Sequence, residues 1–208
     1  AKTVSLGIVA PSGRLPDAAI ADRAAAFFAQ RGWRVQAGES VFAQHTRFAG
    51  EDELRVADLN RFATDPALDV VLAARGGFGL TRLLGDIDYE AIAAAGRILV
   101  GYSDFTALNL ALLARTGAVS FQGPSAVDFA AAKPDRFAVQ QFFATIGNAR
   151  HSIAFRTSAP DLSVRGTLWG GNLALMCALL GTPYFPEVKG GILFIEDVNE
   201  PAYRVERM

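Results

Sequence analysis

The chain of 208 residues carries 20 Lys and Arg against 21 Asp and Glu, and 51% of it is hydrophobic. This balance excludes a disordered chain, and without a basic stripe or charge run it excludes nucleic acid or a membrane surface as partner. The length suffices for one large domain, or for one complete domain and part of another.

The first apolar run, residues 4–10, reads as a strand that stops at Pro11-Ser12-Gly13. Residues 17–30 follow as a helix, with Ile20, Ala24, Phe27 and Phe28 along one face. A second strand is expected over 33–37 and a second helix over 51–64. A third strand, 69–74, ends at Arg75-Gly76-Gly77-Phe78-Gly79, after which 80–84 reads as helical. A fourth, 97–102, ends at Ser103, where a helix begins at once, and a fifth, 118–121, runs into Gln122-Gly123-Pro124. Strands this apolar, separated by helices, make a parallel sheet covered on both faces. The ligand site of such a sheet lies beyond the carboxyl ends of its strands, where three of these turns converge.

These elements form an expected N-terminal α/β domain over 1–147, and 148–160 reads as a linker of mixed polarity. A second pattern fills 161–208: a strand over 163–169, Gly170-Gly171-Asn172, a helix to Leu180, and a strand over 191–195 ending at Glu196-Asp197. Asn199-Glu200-Pro201-Ala202 is a helix start. A segment of about 50 residues buries a core poorly by itself. The expectation is therefore an α/β protein whose smaller second domain is C-terminally incomplete. The single cysteine, Cys177, favours a reducing compartment. Every apolar run is interrupted before the roughly 18 residues of a membrane span, and the opening shows no signal-peptide pattern, which together point to the cytoplasm.

Three segments carry chemistry. At Gly101-Tyr102-Ser103-Asp104 a strand delivers a serine to a sharp turn before a helix, the logic of a nucleophile elbow, although Phe105 replaces its usual last glycine. The Asp104 N–H then lies where it can stabilise an oxyanion; alternatively, Ser103 or Asp104 merely caps the helix. Three glycines in Gly76-Gly77-Phe78-Gly79 free backbone N–H groups to face a ligand, as a second oxyanion donor, a phosphate cradle or a plain tight turn. Glu196, ending a strand, could orient a catalytic histidine or serve a turn. His45 and His151 sit in polar segments and read as surface residues. No His/Cys/Asp/Glu cluster has metal-ligand spacing, and nothing in the sequence calls for a cofactor.

Together these segments, with Gly7-Ile8-Val9-Ala10-Pro11-Ser12-Gly13, Gly170-Gly171-Asn172-Leu173 and Phe194-Ile195-Glu196-Asp197-Val198-Asn199-Glu200, resemble the LD-carboxypeptidase (muramoyltetrapeptide carboxypeptidase) family, which includes the microcin C immunity peptidases. The resemblance implies a Ser-Glu-His triad with Ser103 and Glu196, and an oxyanion hole near Gly77 and Asp104. It places the histidine further toward the C-terminus than residue 208, so neither His45 nor His151 inherits that role. It implies cleavage of the bond between an L-configured diamino acid and terminal D-alanine in a murein tetrapeptide or muropeptide, in peptidoglycan recycling. Arg75, beside the glycine turn, is then the candidate for the substrate's terminal carboxylate, with a structural ion pair as the alternative; Gly76 and Phe78 join it as substrate-binding candidates, and Trp169 with Phe78 would serve a nucleotide base in the microcin-type alternative or else simply fill the core. A non-catalytic small-anion module is the reading from another class. The expected partners are the peptide substrate and the remainder of the second domain, in the same or a separate chain. Homodimerisation is left open.

Overall fold

The computed structural model describes residues 3–158 and 161–208; Ala1, Lys2, and Ala159 and Pro160 of the expected linker lie outside the described residues. The first half alternates β1 (Ser5–Val9), α1 (Ala19–Ala29), β2 (Arg34–Ala37), α2 (Asp52–Thr64), β3 (Val70–Ala73), α3 (Tyr89–Ala95), β4 (Ile98–Val100) and α4 (Thr106–Thr116). The four strands are all parallel in the order β2-β1-β3-β4. β1 and β3 are buried along their whole length, whereas edge strand β2 is largely exposed, which matches their unbroken apolar and mixed sequences.

Alternation along the strands divides the core into two. Val71 and Ala73 of β3 face Leu59, Phe62, Ile92, Phe105 and Leu108, while Val70 and Leu72 face Ala24, Phe28, Phe129 and Phe142. The second face includes two further helices, the single-turn α5 (Ala126–Phe129) and the longer α6 (Arg136–Gly147). Phe28 meets Phe129 at 4.8 Å between ring centroids and Phe142 at 5.9 Å, so α1, α5 and α6 share one aromatic cluster.

A smaller unit follows: β5 (Leu168–Asn172), α7 (Leu173–Leu179), β6 (Ile192–Glu196) and α8 (Ala202–Arg207). β5 and β6 pair in parallel as a separate two-stranded sheet. It is anchored to the first unit through α7, whose Met176 and Leu179 join the core beside α4, and through the Asn172 N–H, which donates to Thr106 Oγ1 at 3.0 Å.

The fold class agrees with expectation, and several boundaries differ for physical reasons. The expected fifth strand is a single bridge: Phe121 donates to Leu99 O and accepts from Gly101 N–H before the chain turns away at Gly123-Pro124. The expected strand 163–169 moves to Leu168–Asn172, so Gly170 and Gly171 lie inside it and not after it. Glycine is required there. A Cβ on Gly170 would fall 1.9 Å from Phe194 O, and one on Gly171 2.0 Å from Gln122 Nε2. The helical stretch expected over 80–84 shrinks to one 3-10 turn, Leu80–Arg82. Among the described residues no helix is long and apolar enough to cross a membrane.

Candidate active site

Because β1, β3 and β4 are neighbours, the turns that end them meet at one sheet edge. The Gly13 N–H donates to Gly76 O at 3.2 Å, joining the first two turns. The second and third touch directly: a Cβ on Gly76 would stand 2.8 Å from Ser103 Cβ, 2.9 Å from Ser103 Oγ and 3.5 Å from Asp104 N. Gly77 and Gly79 hold φ of 109° and 126°, which glycine adopts without the Cβ clash of other residues.

Ser103 itself has φ of 60°, one of three non-glycine residues among those described with a positive value. Such a conformation costs on the order of 1–3 kcal/mol and persists only when its surroundings over-determine it. Those surroundings are visible. Phe105, fully buried, donates its N–H to Tyr102 O at 3.2 Å, and Asn109 Nδ2 donates to Gly101 O at 3.3 Å while its Oδ1 accepts from Ser120. A Cβ on Gly101 would collide with the Phe105 ring at 2.5 Å, so the serine's strand must approach this closely as glycine. Neither Ser103 nor Asp104 caps the following helices with its side chain, which removes the capping alternative.

The Asp104 carboxylate turns back beneath the glycine turn and accepts the Leu80 N–H at 2.9 Å. Burial pushes its pKa up, opposed by the nearby Ser12 hydroxyl, the Leu80 N–H and the Arg55 charge. Ser12 Oγ is itself buried without a hydrogen bond of standard geometry, so Leu80 is the firmer of the two contacts. Arg55, fully buried on α2, clamps the same turns from below. Its Nη1 donates to Pro11 O and to Gly79 O, and its Nη2 pairs with Asp52. A helical pattern assigns such an arginine to solvent, which is why the sequence did not reveal it.

Glu196, the last residue of β6, pairs in register with Asn172 and has a buried Oε1 without a hydrogen-bond partner. It shares a cavity of about 470 Å3 with Tyr102, Gln122, Asp128 and Phe194. The Tyr102 hydroxyl donates to Asp128 Oδ1 at 3.3 Å, and its pKa is raised by burial first, then by the charges of Asp128 and Glu196, with Arg75 opposing. Glu196 therefore lies in the electrostatic neighbourhood of the residue that precedes Ser103.

Arg75, Gly77 and Phe78 line a second cleft, of about 510 Å3, together with Gly13, Arg14 and Arg47. Arg75 Nη1 donates to Arg14 O at 2.9 Å, and Phe78, half exposed, tilts over Phe48. Trp169 is set apart. It packs edge-on to Phe185 and lines a third, apolar cavity with Leu110 and Phe121. His45 pairs with Glu51 at 2.7 Å and His151 with Gln141 at 2.6 Å; neither borders the first two cavities. Among the described residues no group of three or more His, Cys, Asp and Glu is disposed to hold a metal ion.

Comparison with known proteins identifies the family. The LD-carboxypeptidase N-terminal domain matches residues 6–123, and the LD-carboxypeptidase C-terminal domain matches residues 165–208. This chain belongs to the LD-carboxypeptidase family. A Bacillus subtilis protein named for murein peptide carboxypeptidase is 34% identical over 98% of this chain and 65% of its own length. The crystal structure of a muramoyltetrapeptide carboxypeptidase from Oxalobacter formigenes superposes with a TM-score of 0.89 at 40% identity, covering 98% of this chain and 69% of that one. The microcin C7 self-immunity protein MccF of Escherichia coli is 25% identical over 89% of this chain and 63% of its own length. The chain thus spans about two thirds of the length of the curated relatives it matches.

Proposed function

We propose that this LD-carboxypeptidase family member is a serine-type carboxypeptidase that releases D-alanine from murein tetrapeptides, in cytoplasmic peptidoglycan recycling. The observation that carries the reading is Ser103: a serine with φ of 60° at a parallel-strand tip, so close to the glycine turn that a Cβ on Gly76 would stand 2.9 Å from its Oγ and 3.5 Å from Asp104 N. In this reading Ser103 Oγ forms a bond to the carbonyl carbon between the diamino acid and D-alanine. The C–N bond then breaks, D-alanine leaves with a proton, and water hydrolyses the acyl-enzyme. N–H groups near Gly77 and Asp104 receive the oxyanion, each good donor contributing about 3–4 kcal/mol at the transition state.

Glu196, with one buried and unpartnered oxygen, orients the histidine that takes the Ser103 proton. His45 and His151 have partners elsewhere, and the family resemblance assigns the base to a histidine beyond residue 208. We read 1–147 as the domain carrying the nucleophile, 148–160 as a linker and 161–208 as part of the second domain, so that the triad assembles between two domains. The microcin-type alternative needs an aromatic platform for a nucleotide base, and Trp169 borders a different cavity from Glu196.

The test is D-alanine release from muramyl tetrapeptide by the intact native protein. Ser103→Ala should lower kcat by about 10⁴- to 10⁶-fold and abolish labelling by a fluorophosphonate probe. Retained turnover would overturn the assignment.

A further inference from the structure

The side chains of Ser12, Arg55 and Asp104 are all buried beneath the turns that end β1, β3 and β4, and the proposed reaction employs none of them. Two of them grip one peptide group. The Gly79 carbonyl accepts from Arg55 Nη1 at 3.2 Å, and the Leu80 N–H donates to Asp104 Oδ2 at 2.9 Å. Those atoms are the two ends of the same planar peptide, so its tilt is fixed by a cation at one end and a carboxylate at the other. Arg55 also serves Pro11 O, and the Ser12 hydroxyl, otherwise unpartnered among the described residues, stands beside the Asp104 carboxylate. Burial disfavours an ionised carboxylate and pushes the Asp104 pKa up, so an apolar side chain would fill this space at less cost. What the carboxylate adds is its hold on Leu80.

The glycine turn needs that hold. Gly77 and Gly79 have φ of 109° and 126°, and Phe78 between them is half exposed. The Gly13 N–H on Gly76 O and Arg75 on Arg14 O tie the turn only at its start. Leu80 buries its side chain in the core, which anchors the far end without setting the tilt of the peptide before it. In the peptidase reading this turn carries one oxyanion donor, near Gly77, and Asp104 supplies the other from its own backbone. One residue then belongs to both halves of the hole, its amide to one and its carboxylate to the other.

We infer that the Asp104 carboxylate is a positioning residue for the reaction: with Arg55 it clamps the Gly79–Leu80 peptide, and so keeps the glycine turn's N–H groups aimed at the point that Asp104's own N–H faces. The inference rests on the peptidase reading and deepens it by naming the group that aligns the two donors. Such donors stabilise a developing charge only when they are already oriented toward it. The carboxylate acts as a hydrogen-bond acceptor here, so an amide oxygen in the same place can do most of its work.

The test compares the intact native protein with Asp104→Ala and Asp104→Asn by steady-state kinetics on muramyl tetrapeptide and by amide hydrogen exchange. Asp104→Ala should lower kcat about 10²- to 10³-fold, the loss of one oxyanion donor, with KM within about threefold of native. Exchange over residues 76–80 should quicken while β1 and β3 keep their protection. Asp104→Asn, which still offers the Leu80 N–H an acceptor, should recover all but about tenfold of the lost turnover. Asp104→Ser, whose hydroxyl stops short of that N–H, takes the place of Asp104→Ala if the latter does not fold. Unchanged exchange over 76–80, a loss confined to KM, or an asparagine variant as slow as alanine would each overturn the inference. So would a kcat within about tenfold of native in the alanine or serine variant. If the native protein releases no D-alanine while exchange over 76–80 still depends on Asp104, the clamp stands and the peptidase reading falls.

Discussion

The two sheets of this molecule are both parallel, yet they are built to different standards. In the first, β1 and β3 are buried from end to end and two apolar clusters cover both faces. In the second, successive residues Leu193, Phe194 and Ile195 of β6 are each nearly half exposed, so the described residues cover each face of that strand only in part. Ser103 and the glycine turn stand on the rigid sheet and Glu196 on the loosely covered one. A site shared in this way depends on the few contacts that couple the sheets: Asn172 to Thr106, Gly171 against Gln122, and α7 against α4.

Four substitutions would break or sharpen that contrast. The largest effect is expected from Arg55→Met in the rigid half. It strands the Pro11 and Gly79 carbonyls and Asp52, and should cost about 3–5 kcal/mol in denaturant unfolding. If stability is unchanged, the turns are held by something other than that clamp. Next is Gly76→Ala, whose new methyl would meet Ser103 Oγ at 2.9 Å. Activity should fall about 10²- to 10³-fold, comparable to losing an oxyanion donor, with little change in melting temperature. Gly171→Ala tests the coupling itself: its Cβ drives into Gln122 and Thr106, at a φ of 144°. The expected cost is about 1–3 kcal/mol, seen as lost turnover and faster amide exchange in β5 and β6 while β1 and β3 keep their protection. Uniform loss of protection would show that the two sheets unfold as one.

The smallest effect concerns pH. Burial raises the Asp104 pKa in the folded state, so folding favours its protonated form. That contribution to stability is fully present below the unfolded value of about 3.9 and is lost as pH rises through the folded one. Urea unfolding across that range should show this slope in the native protein and not in Asp104→Asn.

How much of this could be read from the sequence depends on whether each feature is local. The unbroken apolar runs before Pro11, Arg75 and Tyr102 announced the buried strands, and the tight spacing around Ser103 announced its turn. Three helices, α3, α5 and α6, were not placed, because two are no longer than two turns and the third is phenylalanine-rich with only Phe142 fully buried. The glycines of β5 looked like a loop because their reason lies across the sheet, in Phe194 and Gln122. Of the second cleft only Arg75 and its glycine turn were legible, since Arg14 and Arg47, which also line it, bear no periodic relation to residue 75. Arg55 was hidden differently: its burial makes sense only once the carbonyls it serves are known.

The left-handed backbone at Ser103 has a consequence for lineage. A side chain in that conformation is disfavoured by about 1–2 kcal/mol, a penalty that glycine does not incur. Under the proposed assignment of Ser103 as nucleophile, a duplicated copy released from selection for turnover would grow sturdier by the same mutation that silences it. Glycine at this position in a sister sequence would then mark a retired enzyme that kept its shape.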